Sequence, residues 1–158
     1  MNEHSFVKAV HRKLSPDVYR WKIHDTYTGG VPDAMYAGPA GLLFVEYKYL
    51  KSLPKKPTTP IKTGLSALQI QWLERMCVYN ILAIVIIGSP VGCSILTNGF
   101  NRTLTTNDFS GEVEVAEVAT FIHELTHCHE KRIRISHPRT KPQKNLESVQ
   151  GTEQDNAS

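Results

Sequence analysis

Residues 31–49 read V-P-D-A-M-Y-A-G-P-A-G-L-L-F-V-E-Y-K-Y, and the rest of the chain is arranged around them. Val31-Pro32-Asp33 opens the stretch and Glu46-Tyr47-Lys48 closes it. Between them lie a short apolar segment (34–37), a Gly-Pro-Ala-Gly turn (38–41) and a second apolar run (42–45). Pro and Gly punctuate this as two strands joined by a tight turn. Residues two apart on a strand share a face, so Glu46 and Lys48 point one way and Tyr47 the other. Pairing of the two strands folds Asp33 back towards Glu46 and Lys48. Two carboxylates and one ammonium then converge at a strand end.

This trio suits phosphodiester chemistry. Carboxylates are hard oxygen ligands for Mg²⁺, which also binds substrate phosphate. Such a metal lowers the pKa of a bound water and neutralises phosphodiester charge. A lysine two residues beyond a metal-ligating Glu can orient the attacking water or stabilise the developing charge. The bland alternative is a surface hairpin with Glu46 and Lys48 paired across a polar edge. Against it stands the apolar run L-L-F-V, which predicts a buried strand. Charges on such a strand cost free energy unless they are paired or bind metal.

Length and composition set the frame. The 158 residues predict one domain with a sizeable core. At 41% hydrophobic and 21% charged, the composition is that of a globular protein. A formal charge of +3 and a pI near 8.8 permit a polyanionic partner without requiring one. The odd count of three cysteines has no framework spacing. Cys77 and Cys93 lie in apolar segments and are expected as core thiols in a reducing, cytoplasmic compartment. No signal-peptide pattern and no apolar run of membrane-spanning length is visible, so no membrane partner is expected.

Around the hairpin, residues 2–14 predict a helix with Phe6, Val7, Val10 and Leu14 on one stripe. Glu3 lies on that stripe. It either faces the site or only answers the helix dipole in the first turn. Residues 19–25 predict a half-exposed edge strand, with Tyr19, Trp21 and Ile23 on one face. His24 and Asp25 are expected to end that strand and cap a turn. Residues 51–64, with three prolines and four lysines, predict a basic loop that either touches phosphates or is only solvated. Residues 66–81 predict a helix whose stripe is Leu65, Leu68, Trp72, Met76 and Tyr79. Gln69 stands at the stripe's edge and Gln71 faces solvent. Residues 82–88, L-A-I-V-I-I-G, predict a central strand buried on both faces, with 93–97 as its neighbour. The order helix, three strands, helix, two strands, helix gives a mixed α/β sheet flanked by helices.

Pro32-Asp33 with Glu46-Tyr47-Lys48 resembles the two halves of the PD-(D/E)XK nuclease signature. Within that superfamily the chain is most similar to the VRR-NUC and Holliday-junction-resolvase-like group. That group carries a helix beginning roughly L-S-x-x-Q with a Trp soon after; here Leu65-Ser66-Ala67-Leu68-Gln69 precedes Trp72. The similarity covers roughly residues 1–130. It implies a restriction-endonuclease-like fold and a DNA endonuclease using Mg²⁺ or Mn²⁺. It implies Asp33 and Glu46 as metal ligands, Lys48 as the catalytic lysine, and Glu3 and Gln69 as further contributors, Glu3 also to the metal. It further implies structure-selective cutting, as of a four-way junction, and a homodimer. A compact nuclease of this kind suits a phage or mobile element acting in a host cytoplasm. A module of the same fold that binds DNA without cutting it is a further alternative.

Residues 112–131 predict the last helix and hold a competing motif. His123-Glu124-Leu125-Thr126-His127 is a formal H-E-x-x-H, in which two His can grip Zn²⁺ and the Glu can serve as general base of a metallopeptidase. Cys128 and His129 thicken the cluster. The pattern is short, and no third ligand is visible in the polar stretch after His137. The helix is also expected to close the domain rather than to pack centrally, with His123 and His127 off its apolar stripe of Val118, Phe121, Ile122 and Leu125. A nuclease domain is therefore expected over 1–135, and a polar, disordered tail with scattered Lys and Arg over 136–158.

Overall fold

The structure, a computed structural model, describes residues 1–109 and 113–136. The tail expectation falls on 136–158, of which all but Ser136 lie outside the described residues.

The 31–49 stretch folds as a hairpin. Strand β2 (Ala34–Gly38) runs antiparallel to β3 (Gly41–Tyr49), with Ala34 opposite Val45 and Gly38 opposite Gly41. Strand β1 (Tyr19–Lys22) adds antiparallel to the outer edge of β2. On the other side β4 (Ala83–Ser89) pairs parallel with β3, and β5 (Gly92–Leu96) pairs antiparallel with β4. The sheet order is thus β1-β2-β3-β4-β5. A parallel neighbour demands a crossover, which helix α2 (Ala67–Val78) supplies. Residues 83–88 of β4 are all buried, as their unbroken apolar run requires.

Helices cover both faces. Tyr36, Leu43, Val45, Tyr47, Ile84 and Ile86 pack against Phe6 and Val10 of α1 (Glu3–Lys13) and Val118, Ile122 and Leu125 of α3 (Val115–His127). Val85, Ile87 and Leu96 on the opposite face pack against Leu73 of α2, Phe100 and Phe109. The fold is a mixed sheet flanked by helices, the α/β architecture that the order of elements implied.

Several local expectations are corrected. In α2 the buried side is Leu73 with Ile70, Trp72 and Met76 packed beside it, while Leu68 and Tyr79 are exposed. Gln69 stands one turn before Leu73 on that inward side. Cys77, next to Met76 but turned away from the core, is exposed rather than buried; Cys93 is buried as expected. Tyr19 and Trp21 are exposed, because α2 packs over the other end of their sheet face. The last helix is two helices, α3 and α4 (His129–Ser136), with Cys128 extended between them. Thr126, His127, Cys128 and His129 are all indifferent helix formers, so the break needs no Pro or Gly. α3 does not lie at the margin of the domain: Val118, Ile122 and Leu125 are fully buried between α1 and the sheet.

The basic loop, residues 51–64, carries no helix or strand, but it is anchored. Ile61 is buried and its N–H donates to the Leu104 carbonyl at 2.8 Å. Asp25 caps the turn after β1 as expected, its Oδ1 accepting the N–H groups of Tyr27 and Thr28 at 2.7 and 3.0 Å.

Candidate active site

The register sets the site. One residue beyond the Ala34–Val45 pair, Asp33 comes opposite Glu46. Its Oδ2 accepts the backbone N–H of Tyr47 at 2.9 Å, which pins the carboxylate against β3. Glu46 and Lys48 project from one face, as alternation requires. Lys48 Nζ lies 2.7 Å from Glu46 Oε1. Gln69 donates its amide to the same Oε1. Its own amide oxygen accepts the Ser66 N–H at 2.9 Å, while Ser66 Oγ accepts the Gln69 N–H. Gln69 therefore closes the capping box of α2 and holds Glu46 at once. Gly30 lets the turn before Pro32 approach this helix start: its φ is +86°, and a Cβ there would stand 2.4 Å from the Leu68 carbonyl oxygen.

Glu46 is only 1% exposed, yet its Oε2 has no hydrogen-bond partner among the described residues. An ionised oxygen left bare at that depth is costly. Burial pushes the Glu46 carboxyl up to about 7; the Lys48 hydrogen bond opposes this, and Asp33 and Glu3 add to it. For Lys48, burial pulls the ammonium down, but the Glu46 hydrogen bond and the charges of Glu46, Glu3 and Asp33 prevail and raise it. The group as a whole carries excess negative charge that a cation would relieve. The bare Oε2 beside Asp33 offers hard oxygen donors of the kind that Mg²⁺ or Mn²⁺ takes.

Glu3 comes to the same region. It lines a cavity of about 110 Å³ with Asp33, Lys22 and His11. Partial burial raises its carboxyl, Lys48 lowers it and Asp33 raises it again. Glu3 is exposed, whereas Glu46 is buried and lies outside the lining of that cavity. A wider groove of about 730 Å³ continues past His11 and is lined by Lys8, Arg12 and Arg20. On the other side Lys48 lies beside Gly64, where the basic loop ends. All five residues singled out from the sequence are thus brought to one strand end. Gln69, expected at the edge of the apolar stripe, is held by Glu46 and Ser66.

No protein-family model matches this chain, and no curated protein matches it. Among solved structures it is similar to Hjc, a Holliday junction resolvase of the archaeal hyperthermophile Archaeoglobus fulgidus. The likeness has a TM-score of 0.47 at 15% identity, over 73% of this chain and 95% of that one. At that identity it concerns the arrangement of elements, not the role of any side chain.

Two features escaped the sequence. Behind the site, the buried hydroxyls of Tyr36 and Tyr47 lie 2.8 Å apart, and Tyr36 reaches His11 Nε2 at 2.7 Å. The chain of hydroxyls lets Tyr47 stay buried with its OH satisfied. The second feature is Asp17, just before β1. Its Oδ2 lies 3.2 Å from His123 Nε2 and 3.3 Å from His127 Nε2. The histidine pair thus has an acidic third member, supplied from the first half of the chain and not from the tail. Glu124 of that motif is paired with Lys131 instead. Among the described residues no helix is long and apolar enough to cross a membrane.

Proposed function

We propose that this chain is a metal-dependent nuclease that hydrolyses phosphodiester bonds in DNA at Asp33, Glu46 and Lys48. The observation that carries the reading is Glu46: a nearly inaccessible carboxylate with one bare oxygen, held between Lys48 and Gln69 and facing Asp33. A purely structural ion pair needs neither the bare oxygen nor the crowding of three carboxylates.

Asp33 and Glu46 would hold Mg²⁺ or Mn²⁺, with Glu3, whose charge acts on both Glu46 and Lys48, as a further contributor. When bound, that ion would neutralise phosphodiester charge and make water more acidic. Asp33 is kept in place by the Tyr47 N–H, and Glu46 by Gln69. Lys48 carries a fixed positive charge, held at the site by Glu46. Its role is to orient the attacking water and to stabilise charge developing on the phosphate. Lys8, Arg12 and Arg20 in the adjoining groove, with the lysines of residues 51–64, offer sequence-independent contacts to the backbone.

The sequence resemblance to the VRR-NUC group extends this to branched DNA and to a homodimer with two sites for two strands. A peptidase reading of residues 123–127 needs Glu124 as general base, and Lys131 engages it. The test is incubation with labelled duplex, single-stranded, flap and four-way-junction DNA in Mg²⁺, Mn²⁺ or EDTA, beside Glu46→Ala. Cleavage that needs metal and is absent in the variant supports the reading. Binding without any product would make the chain a DNA-binding module of the same fold. Sedimentation of the purified protein tests the dimer.

A further inference from the structure

We propose that Asp17, His123 and His127 form a second metal site, suited to Zn²⁺, that ties the segment between α1 and β1 to α3. It is separate from the nuclease reading and does not depend on it.

The donor atoms are spaced closely enough to share one ion. Ligand atoms about 2.0–2.1 Å from a tetrahedral zinc stand roughly 3.3–3.4 Å from one another. Asp17 Oδ2 lies 3.2 Å from His123 Nε2 and 3.3 Å from His127 Nε2. All three donor atoms fall within 4.8 Å of one another. His123 and His127 are one helical turn apart, and their rings stack with centroids 4.2 Å apart and planes 9° from parallel. Both Nε2 atoms lie beside the same Asp17 oxygen, and because each lone pair lies in its ring plane, shared ligation turns the rings out of their parallel stack.

The surroundings hold one of the rings in place. His127 Nδ1 lies 3.1 Å from the His123 carbonyl oxygen. Thr126 Oγ lies 2.9 Å from the same nitrogen, and these contacts at Nδ1 leave Nε2 as the nitrogen turned to Asp17. A metal-ligating His is oriented in this way by a bond from its other nitrogen. Gly38 leaves the room the ring occupies: a Cβ there would stand 2.5 Å from His127 Cε1. Glu124 is drawn off by Lys131, so the set is two imidazoles and one carboxylate, with the remaining position for water. Imidazole donors favour zinc over Mg²⁺, which separates this site from the all-oxygen set at Glu46. A cavity of about 220 Å³ lined by Lys13, Ser15, Thr120 and His123 gives the ion access.

The test is calorimetric titration of the chelator-stripped full chain with Zn²⁺, with thermal unfolding at each ratio. Expected is one zinc per chain, unchanged in Glu46→Ala, with a rise in Tm. Binding should weaken by at least about tenfold in His127→Ala and in Asp17→Asn. Asp17 is exposed, so Asp17→Asn tests the ligand without threatening the core. Co²⁺ in place of zinc should give visible absorption bands of low-symmetry coordination that disappear in His127→Ala. The proposal is overturned if zinc does not bind, if binding survives in both variants, or if it is lost in Glu46→Ala. Cleavage of DNA plays no part in any of these readouts.

Discussion

Gln69 donates to Glu46 through its amide nitrogen and accepts from the Ser66 backbone through its amide oxygen. The start of α2 and the buried carboxylate are therefore one hydrogen-bonded unit.

Removing Gln69 should damage both ends of that unit. Gln69→Ala loses the side-chain half of the capping box and leaves Glu46 with Lys48 alone to hold it. Activity should fall by roughly 10–100-fold, the usual effect of losing a partner that orients a metal ligand. Ser66→Ala is the control. It weakens the same cap but keeps the bond to Glu46, so it should lose comparable stability with far less activity. Urea unfolding and single-turnover cleavage of both variants check this. Equal activity losses would mean that Gln69 acts only as a cap.

Glu46 predicts a pH dependence. Its carboxyl is raised by burial to about 7 in the folded protein, whereas an unfolded glutamate ionises near 4.3. The folded state thus holds this proton more tightly. The resulting stability is fully present below the unfolded value and is lost as pH rises through about 7. In EDTA, the stability of the wild type relative to Glu46→Gln should decline from pH 5 to about 8. Urea midpoints measured across that range test it; parallel curves for the two proteins would contradict it. Added Mg²⁺ or Mn²⁺ should favour the wild type at the upper end, because a cation favours the ionised form.

The tyrosine pair predicts a non-additive result. Tyr36→Phe leaves the fully buried Tyr47 hydroxyl without its partner, at a cost of about 1–3 kcal/mol. The double variant Tyr36→Phe, Tyr47→Phe removes both groups and should be less destabilised than the sum of the two single variants. Denaturant unfolding of the three proteins gives the coupling energy directly. A coupling near zero would show that the two hydroxyls are satisfied independently.

The hairpin and the convergence of Asp33, Glu46 and Lys48 were legible because they follow from local rules. A Gly-Pro-Ala-Gly turn fixes the reversal, and strand alternation fixes the face. The inward side of α2 was harder to read. Leu68 and Tyr79 match a helical stripe as well as Leu73 does, and only the sheet beneath decides which side is covered. The same applies to Cys77, whose apolar neighbours said nothing of which way it turns. Asp17 was out of reach for a different reason: 106 residues separate it from His123, and no periodicity links the two. The central position of α3 likewise depends on long-range packing against α1, not on its own stripe.

The central claim is that Lys48 and the carboxylates beside it cut DNA. The most direct test is single-turnover cleavage of labelled DNA in Mn²⁺ by wild type and Lys48→Ala, with DNA affinity measured in parallel in Ca²⁺. Folded Lys48→Ala should bind DNA nearly as well and cut roughly 10²–10³-fold more slowly. Undiminished cleavage by that variant would contradict it.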